Sequence, residues 1–307
     1  MSAPRICVVG SANIDLLAYA PRLPRLGETL PGDRFLQRFG GKGANQAVMA
    51  AKLGAQVAMV AKLGDDLFGR EYLANLRDVG VDTTHVGVSA EASTGVAPIW
   101  VDESSGNNAI IVVLGTNLLL STADVDAARD AIASAQVVVS QWEVPIATVV
   151  AAFEIARAAG VTTVFNPAPA QGALPDEVFA LTDILCPNES ETESLTGLPV
   201  GSVEEVEAAA RTLLARGAGR VICTLGSRGS LLVGRDEVVH VPTDPVQAVD
   251  TTGAGDAFVG SLAYFIGRGL TITDAMRRAS RIAARSVLLP GAQTSFPSAA
   301  DVPDLLT

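Results

Sequence analysis

The stretch Asp250-Thr251-Thr252-Gly253-Ala254-Gly255-Asp256-Ala257-Phe258 leads from a turn-forming Thr-Thr-Gly into an apolar, helix-forming run. The N-terminus of such a helix offers unpaired N–H donors and partial positive charge to an anion, and Gly253 and Gly255 let the anion approach closely. Asp256 lies in the first turn, within reach of a hydroxyl held over that anion. The stretch therefore indicates a phosphoryl-transfer site, although an Asp in a first turn also complements the helix dipole without any chemistry.

A second glycine-rich motif runs from residue 39 to residue 47, with the sequence Phe-Gly-Gly-Lys-Gly-Ala-Asn-Gln-Ala. It is not a P-loop, because Gly43 follows Lys42 where a P-loop has Ser or Thr. Lys42 and Asn45 instead stand beside flexible backbone, where they are suited to hydrogen-bonding several hydroxyls of a small polar ligand. A helix entry with a solvated lysine is the alternative interpretation of this motif.

Three further motifs follow predicted strands at their carboxyl ends, the edge at which open α/β sheets bind ligands. They are Asn13-Ile14-Asp15, Asn188-Glu189-Ser190-Glu191 and the segment 224–229, Thr-Leu-Gly-Ser-Arg-Gly. Together with the two glycine-rich motifs, in this order and over almost the whole chain, they resemble the ribokinase family of sugar kinases, also called the PfkB family. The segments 166–170 (Asn-Pro-Ala-Pro-Ala) and 291–295 (Gly-Ala-Gln-Thr-Ser) agree with that resemblance.

The resemblance implies ATP-dependent phosphorylation of the 5-hydroxyl of D-ribose to ribose 5-phosphate. Asp256 is then the general base, and the N–H groups of Gly253, Ala254 and Gly255 form an anion hole for the transferring phosphate. The matching sugar-binding residues are Asn13, Asp15, Gly41, Lys42, Asn45, Glu143 and Asp256. The matching nucleotide-binding residues are Asn188, Thr224, Gly226, Gly229, Gly255 and Ser280.

The resemblance also implies two metal ions. Glu191 is expected near Mg²⁺ through water, since Mg²⁺ retains several waters beside substrate phosphates; an isolated Asn-x-x-Glu is otherwise a helix cap. A potassium ion is expected as a monovalent activator at Asp250, Thr252, Ser286, Leu289, Gly291 and Ser295. Asp250 alternatively only stabilises its own turn. Ser280 departs from the Asn or His that relatives often carry beside the adenine, which leaves the donor preference open.

The predicted fold is a doubly wound, mostly parallel α/β sheet with helices on both faces, forming a single domain over residues 1–307. Its strands at residues 6–10, 56–61, 137–140, 162–166 and 221–225 are short and apolar without alternation, which is typical of strands buried on both faces. Amphipathic helices are predicted at 202–216 and 271–289. Segments of about 13–40 and 94–114 are expected to form a small inserted sheet, with a hairpin connection at 102–108. In the family this sheet is a lid that commonly pairs with a second subunit, so a homodimer is expected; an edge hairpin is the alternative.

Composition excludes several other classes of protein. The net charge of −11 argues against nucleic-acid and anionic-membrane partners, and no apolar run reaches spanning length. Cys7, Cys186 and Cys223 lie in apolar strands, which predicts buried reduced thiols and a cytoplasmic protein. His85 and His240 have no metal-ligand spacing and are interpreted as structural, so a Ser-His-Asp hydrolase is poorly supported.

Two alternatives to ribose phosphorylation stay open at this level. One is a kinase of another acceptor within the family, such as 2-deoxyribose, fructose, adenosine or pseudouridine. The other is a non-catalytic sugar-binding regulator, which is disfavoured because such a relative would be expected to lose the base or the anion hole, and both are present here.

Overall fold

The computed structural model describes residues 3–105, 107–170 and 172–306. Within them the strands are β1 Arg5–Val9, β2 Asn13–Ala20, β3 Arg34–Gly40, β4 Gln56–Gly64, β5 Asp82–Ser89, β6 Gly95–Asp102, β7 Asn108–Ile110, β8 Val137–Gln141, β9 Thr162–Asn166, β10 Ile184–Leu185, β11 Arg220–Thr224, β12 Ser230–Val233 and β13 Val238–Val241. The helices are α1 Lys42–Lys52, α2 Leu67–Asp78, α3 Thr122–Ala127, α4 Arg129–Ala133, α5 Ile146–Ala158, α6 Asp176–Ala180, α7 Glu189–Thr196, α8 Val203–Ala215, α9 Ala254–Gly267, α10 Ile272–Ser286 and α11 Pro303–Leu306.

The central sheet has nine strands in the order β13-β12-β11-β10-β9-β8-β1-β4-β5. Neighbouring strands from β11 to β5 pair in parallel, whereas β12 and β13 are antiparallel additions at one edge. The predicted doubly wound, mostly parallel sheet is therefore confirmed. All carboxyl ends of the parallel strands meet at one edge, where the motifs that begin at Asn13, Asn188 and Thr224 follow or end β1, β10 and β11.

Burial on both faces explains the continuous apolar runs of the central strands. In β1, Ile6 and Val8 belong to one hydrophobic cluster, which also contains residues of α1, α9 and α10. The alternate residues Cys7 and Val9 belong to a second cluster with residues of α5 and α8. Successive side chains of a strand point to opposite faces, so apolar residues at consecutive positions serve the two clusters.

A separate four-stranded sheet has the order β3-β2-β6-β7 and confirms the predicted small inserted sheet. β2 pairs antiparallel with β3, with Asn13 opposite Gly40, and parallel with β6. Residue 113 adds an isolated bridge to Val96 beyond the end of β7. Gly106, in the predicted hairpin connection, lies outside the described residues, as do residues 1, 2 and 307 of the predicted domain.

The prediction that the last long helix extends to residue 289 was wrong. α10 ends at Ser286, and the carbonyl of Val287 accepts the backbone N–H groups of Val249 and Asp250. Pro290 follows shortly after, and the residue before a proline disfavours helical backbone. The shorter helix lets residues 287–295 lie beside the loop that precedes α9. No helix in the described part of the chain is both long and apolar enough to span a membrane.

Candidate active site

The turn before α9 presents free backbone N–H groups. Gly253 adopts a left-handed conformation with φ 77°, and a Cβ there would lie 2.7 Å from that of Ala292, so the position requires glycine. The Ala254 N–H donates to the Thr251 carbonyl at 3.2 Å. Within residues 3–105, 107–170 and 172–306, no acceptor lies within hydrogen-bond distance of the Gly255 or Asp256 N–H. These two groups are free to bind an anion, whereas Ala254 is already engaged.

Asp256 lies where α9 meets the start of α1, which brings the two glycine-rich motifs together. Its side chain is buried, and both carboxylate oxygens accept a hydrogen bond from an amide of α1. Asn45 Nδ2 donates to Oδ2 at 2.9 Å, and Gln46 Nε2 donates to Oδ1 at 2.9 Å. The carboxylate is therefore held in one orientation, as a general base requires.

A cavity of about 160 Å³ opens over Asp256. Its lining combines predicted residues from four separate motifs: Lys42, Asn188, Glu191, Thr224, Gly253, Gly255 and Asp256. A second cavity of about 390 Å³ shares Thr224 and Gly255 with the first. Because two cavities share these residues, two ligands can meet beside the free N–H groups of the α9 turn.

Lys42 is a positive charge among three carboxylates. Burial opposes that charge, but Asp256, Glu143 and Glu191 outweigh it and raise the pKa of the Lys42 ammonium above its usual value. Burial in turn raises the pKa of Glu191, more than the hydrogen bond from Asn188 and the charge of Lys42 lower it. Lys42 is therefore charged at neutral pH, as the partner of an anionic ligand must be.

Asn188 and Glu191 form the capping box of α7, as the alternative interpretation of this motif predicts. The Asn188 side chain accepts the Glu191 N–H at 2.8 Å, and Glu191 Oε2 accepts the Asn188 N–H at 2.9 Å. Both residues also line the smaller cavity. The cap thus fixes a carboxylate at the cavity wall, so the capping role is compatible with the predicted position of Glu191 near Mg²⁺.

The predicted sugar-side residues lie around the start of α1. Glu143 Oε2 accepts the Lys42 N–H at 3.0 Å and the Ser11 hydroxyl, which holds the Gly41-Lys42-Gly43 turn in place. Asn13 Oδ1 accepts Asn117 Nδ2 at 2.7 Å. Gly41 has φ 85° and caps α1 without a side chain.

Asp15 is the most perturbed carboxyl group of this region. Burial, and then the charges of Glu143 and Asp256, raise its pKa to about 7, against a smaller lowering by Arg38. Its carboxylate packs against Gly40, where a Cβ would overlap it. The group therefore titrates near neutral pH unless a ligand satisfies it.

We expect Asp15 to make the free protein less stable as pH rises from about 4 to about 7. Below its unfolded pKa of 3.8, Asp15 is protonated in both states; above that, the unfolded state loses its proton first, because the folded pKa is about 7. Stability therefore falls through this window, by about 4 kcal/mol at most. The free energy of unfolding in urea should be measured at pH 5 and pH 8 for the parent and for Asp15→Asn. The variant should be more stable relative to the parent at pH 8 than at pH 5. An equal difference at both pH values would contradict this.

The larger cavity has the character of a nucleotide-base site. The predicted residues Thr224, Gly226, Gly229, Gly255 and Ser280 all line it, as do the apolar side chains of Val246, Phe258 and Val287. Apolar walls with a few polar groups are typical of small-molecule sites. Ser280 is buried, with its hydroxyl 3.5 Å from that of Ser230. A cleft of about 400 Å³ at the opposite, amino edge of the sheet is lined by Arg157, Asp183 and Arg220 and contains none of the predicted residues.

The loops predicted to hold a monovalent cation lie side by side. Asp250 Oδ1 accepts the Thr252 N–H at 2.9 Å, and Oδ2 accepts the Gly291 N–H at 2.7 Å. Arg38 Nη1 lies 3.9 Å from Asp250 Oδ2. Asp250 thus stabilises its own turn and also joins it to the second loop. The hydroxyls of Ser286 and Ser295 donate to Ala283 and Ala292 carbonyls, and the Leu289 side chain is exposed.

The cysteines were predicted to be buried thiols and the histidines to be structural. The three cysteines are free and buried, as expected. His85 lies in β5, and His240 in β13 contacts the Arg228 carbonyl through Nε2 at 2.8 Å. Within the described ranges, no cluster of three or more His, Cys, Asp or Glu side chains could hold a metal ion.

Sequence reasoning missed several polar side chains that support the site. They are Ser11, Arg38, Asn117 and Gln141, together with Gln46 and Gln293, which belong to the motifs 39–47 and 291–295 but for which no role was predicted. Gln293 Nε2 donates to Asn45 Oδ1 at 3.1 Å and to the Tyr72 hydroxyl at 2.9 Å. The positions of Gln46 and Gln293 within these two motifs were the available signals, because their hydrogen-bond partners come from distant segments.

Comparison with known proteins identifies the family of this chain. Residues 3–299 match the model of a family described as pfkB family carbohydrate kinase. Mouse ribokinase is 43% identical over 305 residues, covering 98% of this chain and 94% of the mouse protein. The deoxyribokinase of Salmonella typhi is 43% identical over 293 residues, covering 95% of each chain. The structure of Arabidopsis thaliana ribokinase complexed with ribose and ATP superposes with a TM-score of 0.92 at 32% identity, covering 100% of this chain and 99% of that one.

A ribokinase-like α/β fold, with a buried carboxylate and free N–H donors between two cavities, is that of a small-molecule kinase. The chain belongs to the pfkB family of carbohydrate kinases.

Proposed function

We propose that this kinase transfers the γ-phosphoryl group of ATP to the 5-hydroxyl of D-ribose and releases ribose 5-phosphate and ADP. The observation that carries the proposal is the position of Asp256, oriented by two amides at the cavity that joins the nucleotide-sized cavity. The mouse and Arabidopsis ribokinases support ribose as the acceptor. The equally similar deoxyribokinase favours 2-deoxyribose as the second candidate.

In this mechanism Asp256 accepts the proton of the sugar hydroxyl as its oxygen attacks the γ-phosphorus. The bond between that phosphorus and the β,γ-bridging oxygen breaks, and ADP leaves with the bond electrons. The free N–H groups of Gly255 and Asp256 neutralise charge on the equatorial oxygens, whereas the Ala254 N–H of the predicted anion hole would first have to leave the Thr251 carbonyl. Lys42 adds a full positive charge at the cavity wall. Asn13, Asp15, Gly41, Asn45 and Glu143 are proposed to bind the sugar hydroxyls.

Glu191 is proposed to hold Mg²⁺ through water. Each Glu191 oxygen already accepts one hydrogen bond from Asn188, and a carboxylate oxygen has a second lone pair available for a water ligand. This donor set fits a hydrated Mg²⁺ better than a directly ligated one. When bound with ATP, Mg²⁺ would neutralise phosphate charge.

Asp250, Thr252, Ser286, Leu289, Gly291 and Ser295 are proposed to bind K⁺, mostly through backbone carbonyls. The direct contact between Asp250 and the Gly291 N–H supports this, because it holds the two loops together. Burial would raise the pKa of Asp250, but hydrogen bonds from Thr252 and Gly291 and the charge of Arg38 lower it overall. A permanent negative charge at the junction of the loops fits a cation site.

The proposed function predicts ATP consumption with ribose that requires Mg²⁺ and is faster in K⁺ than in Na⁺. The measurement is a coupled ADP assay over ribose, 2-deoxyribose, fructose, adenosine and pseudouridine, in each salt at equal ionic strength. If only an acceptor other than ribose is turned over, the proposed mechanism stands and the proposed substrate is wrong. Equal rates in Na⁺ and K⁺ would reject the cation site, and no turnover with any acceptor would favour a sugar-binding regulator.

We also propose that the chain forms one ribokinase-like domain, and that the small sheet is a lid through which two copies dimerise. Phe35, Ile110, Ile111, Val112 and Val113, in or beside its strands, are all exposed, Phe35 to 63% and Ile111 to 57%. Exposed apolar side chains concentrated on one small sheet support an interaction surface there. The buried free cysteines support a cytoplasmic location.

The dimer proposal predicts that Ile111→Asp converts the protein to a monomer, because it places a charge in the apolar interface. Light scattering after size exclusion should give a dimer for the parent at micromolar concentration. A monomeric parent would contradict the proposal. Arg129→Ala, on an exposed helix outside the small sheet, is the control and should leave the dimer intact.

A further inference from the structure

Gln46 is a fully buried side chain that joins the catalytic carboxylate to the ends of two sheet strands. Its Nε2 donates to Asp256 Oδ1 at 2.9 Å and to Asn166 Oδ1 at 3.1 Å. Its Oε1 accepts Gln141 Nε2 at 2.7 Å. Gln141 ends β8 and Asn166 ends β9, so the amide is anchored to the rigid sheet.

The direction of this amide is fixed by its neighbours. The carbonyl of Cys186 can only accept, so Asn166 must donate to it through Nδ2, at 2.8 Å. The Oδ1 of Asn166 then faces Gln46, as does the carboxylate of Asp256. Both are acceptors, so Gln46 must present its NH₂ group to them; the reverse orientation would place three oxygens together.

The orientation of the Gln46 amide leaves one polar atom of Gln141 unpaired. Gln141 Oε1 is buried and has no hydrogen-bond partner in the described part of the chain. A Cβ on Gly10 would overlap this oxygen, so glycine there makes room for the side chain. An unpaired buried polar atom is unfavourable and calls for an explanation. Holding the Gln46 NH₂ group toward Asp256 provides one, because Gln141 must then donate to Gln46.

We propose that Gln46 is a positioning residue that sets the orientation of the Asp256 carboxylate for proton transfer. Asp256 and Asn166 line the cavity of about 160 Å³, whereas Gln46 lies behind them. Gln46 therefore acts on the reaction through Asp256 and not through the sugar. This role rests on the proposed function, since it presumes that Asp256 is the base.

The experiment compares Gln46→Met with the parent, using the acceptor that the parent turns over fastest. We expect kcat to fall by about 10- to 100-fold, because a small misplacement of a catalytic group has effects of this size. The KM for the acceptor and its calorimetric Kd should stay within about threefold, because Gln46 does not contact the sugar. Gln46→Asn keeps a buried amide on a side chain that is one methylene shorter. If Gln46→Met does not fold, this variant should show the same lowered kcat with unchanged KM and Kd.

Thr163→Val is the matched control for lost stability. Thr163 is also buried and lies near the amino end of β9, away from the site. Its hydroxyl donates to the Leu181 carbonyl at 2.7 Å. It should lower the melting temperature and leave kcat within about twofold. The proposal is overturned if Gln46→Met keeps the parental kcat, or if its kcat falls no more than that of Thr163→Val at equal loss of melting temperature. A parent without turnover on any acceptor would instead reject the proposed function itself.

Discussion

Asp256→Asn should lower kcat by about 10³-fold while leaving the affinity for the sugar within a few-fold, since general base catalysis contributes on the order of 10²- to 10⁴-fold. An amide of the same shape cannot accept the hydroxyl proton. Both oxygens of Asp256 accept hydrogen bonds from amides of α1. The NH₂ group of the variant must therefore face Asn45 or Gln46, so we also expect a lower melting temperature. Steady-state kinetics and calorimetric sugar binding give the two quantities separately.

Ser261→Ala is the control for this variant. Ser261 lies on the same helix, is fully buried, and its hydroxyl has no partner among the residues that the structure describes. Removing this hydroxyl should leave kcat unchanged and stability equal or higher. Residual turnover of Asp256→Asn above about a tenth of the parental value would show that Asp256 is not the base.

Gly255→Ala should lower activity while raising the stability of the fold. Gly255 lies in the first turn of α9, and a Cβ there would meet no atom within 4 Å. Replacing glycine by alanine in a helix stabilises it by about 0.5–1 kcal/mol. The new methyl group would nevertheless occupy the junction of the two cavities, beside the free N–H groups. We expect the methyl group to keep the phosphate away from these N–H groups and kcat/KM for ATP to fall by about 10²- to 10³-fold, as when one such donor is lost.

Gly260→Ala provides the contrast on the same helix. A Cβ there would lie 2.6 Å from the Gln46 carbonyl oxygen and 2.9 Å from Met49 Cβ, inside the contact between α1 and α9. That variant should lose stability. The anion-hole assignment fails if Gly255→Ala retains parental kcat/KM for ATP, as measured together with its melting temperature.

The parts of the fold that local pattern determines were predicted from the sequence. The strand at residues 162–166 was placed with its observed bounds, because its β-branched and aromatic residues favour a strand buried on both faces. The helix that carries Asp256 was expected from residue 254 and begins there. The turn before it was predicted from Thr-Thr-Gly, and Gly253 has the left-handed conformation that glycine permits.

What the sequence did not predict depends on contacts between distant segments. Gln46 and Gln141 are 95 positions apart, and their hydrogen bond exists only because α1 packs at the end of β8. The raised pKa of Asp15 arises from burial and from Glu143 and Asp256, which no local motif reveals. The early end of α10 likewise depends on the Val287 carbonyl, which accepts N–H groups from the loop before α9.

The position of the phosphate on the product is the most direct measurement of the proposed reaction. The purified protein is incubated with ¹³C-labelled ribose, ATP, Mg²⁺ and K⁺, and the product is analysed by ¹³C and ³¹P NMR. We expect a single phosphorylated sugar with carbon–phosphorus coupling at C5 and C4, formed about 10³-fold more slowly with Asp256→Asn. A phosphate on C1, or ATP hydrolysis with no phosphorylated sugar, would contradict the assignment of Asp256 and its cavity to transfer onto the 5-hydroxyl.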